Sequence, residues 1–96
     1  MSIDILAAHV RRQADNLFPK RTPSSMFLKM YGELGELIDA KTPEDKAEEL
    51  ADILIMLLDY GDLNNISIED AIIKKMRKNA SRKWTSNEHG VFQHVK

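Results

Sequence analysis

Four carboxylates in one stretch of this sequence have the types and the spacing to hold a divalent cation. They are Glu33 and Glu36, three residues apart, and Glu49 and Asp52, again three apart. On a helix, residues three apart share one face. Between the pairs lies Ala40-Lys41-Thr42-Pro43-Glu44-Asp45, which reads as a stop and a restart. Thr42 suits an N-cap, Pro43 the first helical position, and Glu44 and Asp45 the first turn. So short a connection makes the two helices antiparallel neighbours. Level residues of an antiparallel hairpin share one index sum. Glu36 with Glu49 and Glu33 with Asp52 do so, and the midpoint falls between Thr42 and Pro43, where turn chemistry independently puts the turn. The four acids are therefore expected at two matching levels.

Such a patch needs an explanation. At about 6 Å and an effective dielectric of about 20, each like pair repels by about 3 kcal/mol. The patch takes up protons, binds a cation, or is a set of ordinary surface acids whose spacing is chance. All-oxygen ligands are what hard Mg²⁺ or Mn²⁺ prefers, and Mg²⁺ keeps waters or substrate phosphates as its remaining ligands.

The elements that must position these acids follow from hydrophobic spacing. Ser2 caps a first helix to about Leu17, with Ile3, Leu6, Ala7, Val10, Ala14 and Leu17 as its apolar stripe. Phe18 to Pro23 is a loop broken by two prolines. Ser24 or Ser25 caps a second helix, about 25 to 40, on which Lys29, Glu33 and Glu36 flank the stripe of Met26, Phe27, Met30, Leu34, Leu37 and Ile38. A third helix runs from Pro43 to about Leu63. Its second half, Ile53 to Tyr60, is apolar nearly all round, so it must be surrounded. Three other helices in a 96-residue chain would struggle to cover it, which predicts a homo-oligomer with this helix at the interface. Ser67 caps a fourth helix ending at Trp84, with an inward stripe of Ile68, Ala71, Ile72, Lys75, Met76 and Asn79. Running antiparallel to the third, it would set Arg77 and Lys78 near Asp52. Lys75 and Asn79 are polar on a face expected to look inward. They either snorkel and end the helix, or turn toward a ligand near the acids. The tail from Thr85 is a short strand or an irregular arm, and His89 and His94 in it make a weak metal signal.

Composition narrows the classes. The chain is expected to form one domain over residues 1–96, with a modest core. A net charge of −1 argues against binding a nucleic-acid polymer. The absence of cysteine excludes disulfides and thiolate zinc sites and fits the cytoplasm. The N-terminus has acid before arginine, the wrong order for a signal peptide, and no apolar run is long enough for a membrane span.

At these residues the chain resembles the MazG-like all-α nucleoside triphosphate pyrophosphohydrolases. The shared pattern is ExxE, 12 residues, then ExxD, carried by Glu33, Glu36, Glu49 and Asp52. KMYGELGEL, EELADILIMLLD and SIEDAIIKKMRKNASRKW resemble three family blocks in order, over about residues 20 to 96. Gly32 to Leu37 looks most like the dCTP pyrophosphatase branch, and the end of the chain is similar to small bacterial and phage members. There are departures. Gly32 stands where many relatives have a further glutamate, and Met56 where some have a base-stacking aromatic.

The resemblance implies an all-α, four-helix up-down bundle completed by oligomerisation, as a homodimer or homotetramer. It implies hydrolysis of a (deoxy)nucleoside triphosphate between the α- and β-phosphates, with Mg²⁺ or Mn²⁺ held by Glu33, Glu36, Glu49 and Asp52. Glu36 or Glu49 would take a proton from the attacking water. Lys75 and Asn79 are the expected phosphate or sugar contacts, with Lys29 and Arg82 behind them. Trp84 would either stack on a base or pack. Two alternatives stand beside this: a non-enzymatic helical module with an acidic partner surface, and a carboxylate-type four-helix metal protein. The latter usually needs Glu-x-x-His pairs that this chain lacks.

Overall fold

Each helix begins where a side chain can accept its orphan N–H groups. In the computed structural model, which describes residues 2–95, Ser2 caps α1 (Ile3–Leu17). Thr22 caps α2 (Pro23–Asp39), Thr42 caps α3 (Pro43–Leu63) and Ser67 caps α4 (Ile68–Ser81). The expected start of α2 at Ser24 or Ser25 moves back, because Thr22 accepts from the Ser25 N–H while the Ser25 hydroxyl accepts from the Thr22 N–H. That reciprocal box puts Pro23 in the first turn, where its missing N–H does no harm.

α1 and α2 each pack against α3, and the buried apolar side chains lie on these three helices: Ala7 and Ala14 of α1, Met26 and Met30 of α2, Ile53 of α3. Phe27 meets Tyr60 edge-to-face at 4.9 Å between ring centroids, tying α2 to α3. The fold is all-α, as expected, with a short C-terminal hairpin of β1 (Trp84–Ser86) and β2 (Phe92–His94). Asn87 closes the hairpin by accepting from the N–H groups of His89 and Val91, and Gly90 takes the positive φ its turn requires.

α4 departs from expectation. It has no buried residue, and no part of it approaches α2 among the described residues. Its N-terminus is anchored by Asp4 of α1, which accepts from the Ser67 hydroxyl and the Glu69 N–H. It meets α3 at Gly61, where a Cβ would fall 2.5 Å from Ile68 Cδ1, so any larger residue there would force the Ile68 side chain to move. Beyond that point α4 stands off α3 across an open apolar groove lined by Leu57, Ile72, Lys75 and Met76. The inward stripe read from the sequence therefore has no inside within one chain, and the basic run on α4 does not line the groove beside Asp52. α4 also ends at Ser81, three residues before Trp84, which lies in β1.

Candidate active site

The α2–α3 hairpin brings the acids together. Glu33, Glu36 and Glu49 each offer a carboxylate oxygen, all within 4.8 Å of one another. Asp52 lies beside them, lining with Glu33 a groove of about 670 Å³ that runs from this cluster to the α1–α2 loop. α3 contributes Asp52, Ile55, Met56 and Asp59 to that groove, which is one stripe at helical spacing.

The electrostatics of the cluster are uneven. Glu33 is buried, and Lys29 Nζ sits 2.9 Å from its Oε1. That ammonium, followed by contacts from Glu49 and Glu36, holds the Glu33 carboxyl well below the usual carboxylate range. Glu49 is pushed the other way, up to about 7, first by its contact with Glu33, then by burial and Glu36. Three acids facing one nearby ammonium thus raise the proton affinity of the cluster, with the rise falling on Glu49. Lys29 is itself raised, mainly by Glu33.

Glu33 Oε2 and Glu49 Oε2 are buried with no hydrogen-bond partner among the described residues. Leaving buried polar atoms unpaired is unfavourable, so the arrangement suits an occupant that accepts oxygen ligands. The donor set is entirely carboxylate, which fits Mg²⁺ or Mn²⁺ and not a soft metal. The residues present therefore fit a divalent cation.

Of the phosphate, sugar and base contacts expected from the sequence, only Lys29 is brought to this groove among the described residues of one chain. Lys75 lines the separate groove between α3 and α4. Asn79 Oδ1 is buried with no partner among the described residues, while the Asn79 main-chain carbonyl accepts from the Trp84 indole N–H at 2.8 Å and from the Arg82 N–H. Trp84 also meets His94 edge-to-face, so in this chain the indole packs the hairpin against the end of α4.

The structure adds a group that sequence reasoning passed over. Asp59 is 3 % exposed, and both its oxygens accept from Arg21: Nε to Oδ2 at 2.7 Å and Nη2 to Oδ1 at 2.9 Å. Arg21 also reaches Asp15 at 2.7 Å and the Phe18 carbonyl at 3.2 Å. Asp59 and Asp15 push the guanidinium further toward its charged form. The available signal was an aspartate seven residues after Asp52 in an otherwise apolar run, which returns it to the same face.

Comparison with known proteins agrees with this geometry. The family model described as the MazG nucleotide pyrophosphohydrolase domain matches residues 21–85. A protein of Cyanophage S-2L named dATP/dGTP diphosphohydrolase is 32% identical over 90 residues, which are 94% of this chain and 85% of that protein. A Salmonella phage PMBT28 protein of the same name is 43% identical over 82 residues, 85% of this chain. The match spans only 28% of that longer relative. Among solved structures, the Cyanophage S-2L MazG-like pyrophosphohydrolase bound to dGDP and three catalytic Mn²⁺ ions per active site superposes with a TM-score of 0.87. It is 30% identical, and the alignment covers 100% of this chain and 95% of that one. By fold, by carboxylate cluster and by sequence, the chain belongs to the MazG family of nucleotide pyrophosphohydrolases.

Proposed function

We propose that this protein hydrolyses purine deoxynucleoside triphosphates between the α- and β-phosphates, giving a deoxynucleoside monophosphate and pyrophosphate in a reaction dependent on Mg²⁺ or Mn²⁺. The observation that carries the reading is the cluster of Glu33, Glu36 and Glu49 with two buried, unpartnered carboxylate oxygens at one end of a groove. The purine preference rests on the two phage relatives named dATP/dGTP diphosphohydrolase and on the dGDP bound in the solved structure. The likeness of Gly32 to Leu37 to the dCTP branch points to a pyrimidine instead, so the base ranking is part of the test.

Glu33, Glu36, Glu49 and Asp52 would hold the metal. Divalent cations bound there would supply neutralisation of phosphate charge and acidification of water. Glu49 must release its proton for all four acids to act as ligands, which its position near neutrality allows. Glu36 or Glu49 takes the proton from the attacking water. Lys29, now paired with Glu33, would be free to meet a phosphate oxygen once Glu33 held a cation.

The site is completed by a second copy in this reading. Leu50, Leu54, Ile55 and Leu57 of α3 and Ile72, Ile73 and Met76 of α4 are exposed in one chain, a surface that supports a homodimer or homotetramer. Such an assembly is what would bring Lys75, Asn79 and Arg82 to a neighbouring carboxylate cluster as phosphate or sugar contacts. No helix of the described residues is long and apolar enough to cross a membrane.

The test is pyrophosphate release from a panel of ribo- and deoxyribonucleoside triphosphates with Mg²⁺, with Mn²⁺ and with EDTA. Metal-dependent pyrophosphate with monophosphate as co-product is expected, fastest for dGTP or dATP. Release of orthophosphate, or silence across the panel, would reject the reaction.

A further inference from the structure

One buried charge in the molecule has no part in the metal chemistry. Asp59 lies on the same α3 stripe as Asp52, seven residues on, which is about 10 Å along a helix. It marks the other end of the groove. With the metal-bound phosphates at the Glu33–Asp52 end, a nucleotide laid along the groove places its nucleoside toward Asp59. The walls there are mostly apolar, with Ile55 and Met56 from α3, Met26 from α2, and Phe18 and Pro19 from the loop beside the polar Lys20 and Ser25.

The loop wall has little to hold it by packing. Phe18 is 61% exposed, and Pro19 and Lys20 are exposed as well. Backbone bonds from the Phe18 N–H to Ala14 and from the Arg21 N–H to Phe18 shape the turn, and what ties it to α3 is the Arg21 side chain, 10% exposed, whose donors go in three directions. Nε and Nη2 grip Asp59 on α3, Nη2 also reaches Asp15 on α1, and Nη1 reaches the Phe18 carbonyl at the head of the loop. Asp15 is in turn approached by Arg11, which also approaches Asp62 of α3. A buried ion pair is weak evidence of a need for stability, since well-packed apolar residues often serve as well. Its distinctive property is direction, because a planar fork fixes both partners and whatever else the fork holds.

We propose that the Arg21–Asp59 pair is the positioning device of the nucleoside end of the groove: it holds Phe18-Pro19-Lys20 as a fixed wall opposite Ile55 and Met56 and so sets which bases the groove accepts. This rests on the nucleotide reading above. Neither residue belongs to the carboxylate cluster, so their effect is expected on base discrimination and not on the metal end.

The experiment is calorimetric binding of dGDP, dADP, dCDP and dTDP with Mn²⁺, and of inorganic pyrophosphate with Mn²⁺, to the wild-type protein and to Asp59→Asn, Arg21→Lys and Phe18→Ala. Arg21→Lys keeps the charge but loses the fork, and Phe18→Ala alters an exposed wall residue, so both remain informative where Asp59→Asn fails to fold. Arg21→Lys and Phe18→Ala are expected to weaken purine diphosphate binding about tenfold and bring the four bases to within a few-fold of one another. Pyrophosphate binding stays as in wild type. Variants that keep the wild-type ranking and ratios, with only a lower melting temperature, would overturn the proposal. So would loss of ranking in Phe18→Ala alone, which would leave the wall in place but remove the pair from its control. A wild-type protein that binds and ranks these diphosphates but releases no pyrophosphate from the matching triphosphates would fail the reaction assigned above, and the variants would still decide the wall. One that binds none of them would overturn the wall proposal, while the pyrophosphate assay would still decide the reaction.

Discussion

The two ends of α3 carry the same kind of side chain and treat it in opposite ways. At the far end, Asp59 and Asp62 each face an arginine, Arg21 and Arg11, and both oxygens of Asp59 are taken. At the near end, Glu49 faces Glu33 and Glu36 with Lys29 as the nearby ammonium, and two buried oxygens go without a partner. Saturated acids hold a shape. Under-compensated acids are held ready for a cation, because their mutual repulsion is relieved when one arrives. Acid content alone does not separate the two, whereas the count of opposing cations does.

The comparison can be broken most decisively at the near end. Glu49→Gln should lower metal-dependent turnover by a factor on the order of 10³ while leaving the helical circular dichroism intact. Turnover close to wild type would remove Glu49 from the site. At the far end, Asp59→Asn leaves Arg21 buried against a neutral amide and should destabilise folding by about 3–5 kcal/mol in denaturant titration. A loss below about 1 kcal/mol would mean that the pair behaves as a solvated surface contact. The shortage of cations at the near end sharpens a third expectation. Lys75 and Arg82 can meet it only from another copy, so the protein should sediment as at least a dimer at micromolar concentration. Leu54→Lys, at a 47% exposed apolar position, should shift it toward monomer. A wild-type monomer would leave the α4 cations without a role at this cluster.

The smallest effect expected is in pH. Glu49 sits at about 7 when folded against an ordinary 4.5, so the folded protein keeps a proton that the unfolded chain has lost between those values. Its contribution to stability is full below 4.5 and is lost as pH rises through about 7. Glu33 is lowered, so its contribution is present above 4.5 and fades as pH falls below it. With EDTA, the melting temperature should therefore decline from about pH 5 to about pH 8. With Mg²⁺ it should rise over the same range, because ligation needs the deprotonated acids. Parallel profiles with and without metal would separate the cluster from metal binding.

Local chemistry made much of this legible in advance. Thr42-Pro43 stops one helix and starts the next, so the α2–α3 hairpin and the approach of Glu49 to Glu36 follow from the index sums, whereas the sums pair Glu33 with Asp52 and the close group in the structure is Glu33, Glu36 and Glu49. The caps at Ser2, Thr42 and Ser67 were readable for the same reason, since a cap acts within three residues of itself. What failed to be legible was everything between distant segments. Arg21 and Asp59 are 38 residues apart and Asp4 and Ser67 are 63 apart, and no periodicity announces which charge will meet which. The direction of α4 was decided the same way. Its apolar stripe predicts a neighbour without naming it, and the Gly61–Ile68 approach and the Asp4 anchor turn the helix away from α3 and leave that stripe open. Spacing along a chain specifies which residues share a face, because helix geometry is the same everywhere. Which faces then meet depends on long-range packing and on pairing of buried charges, and those only the tertiary structure decides.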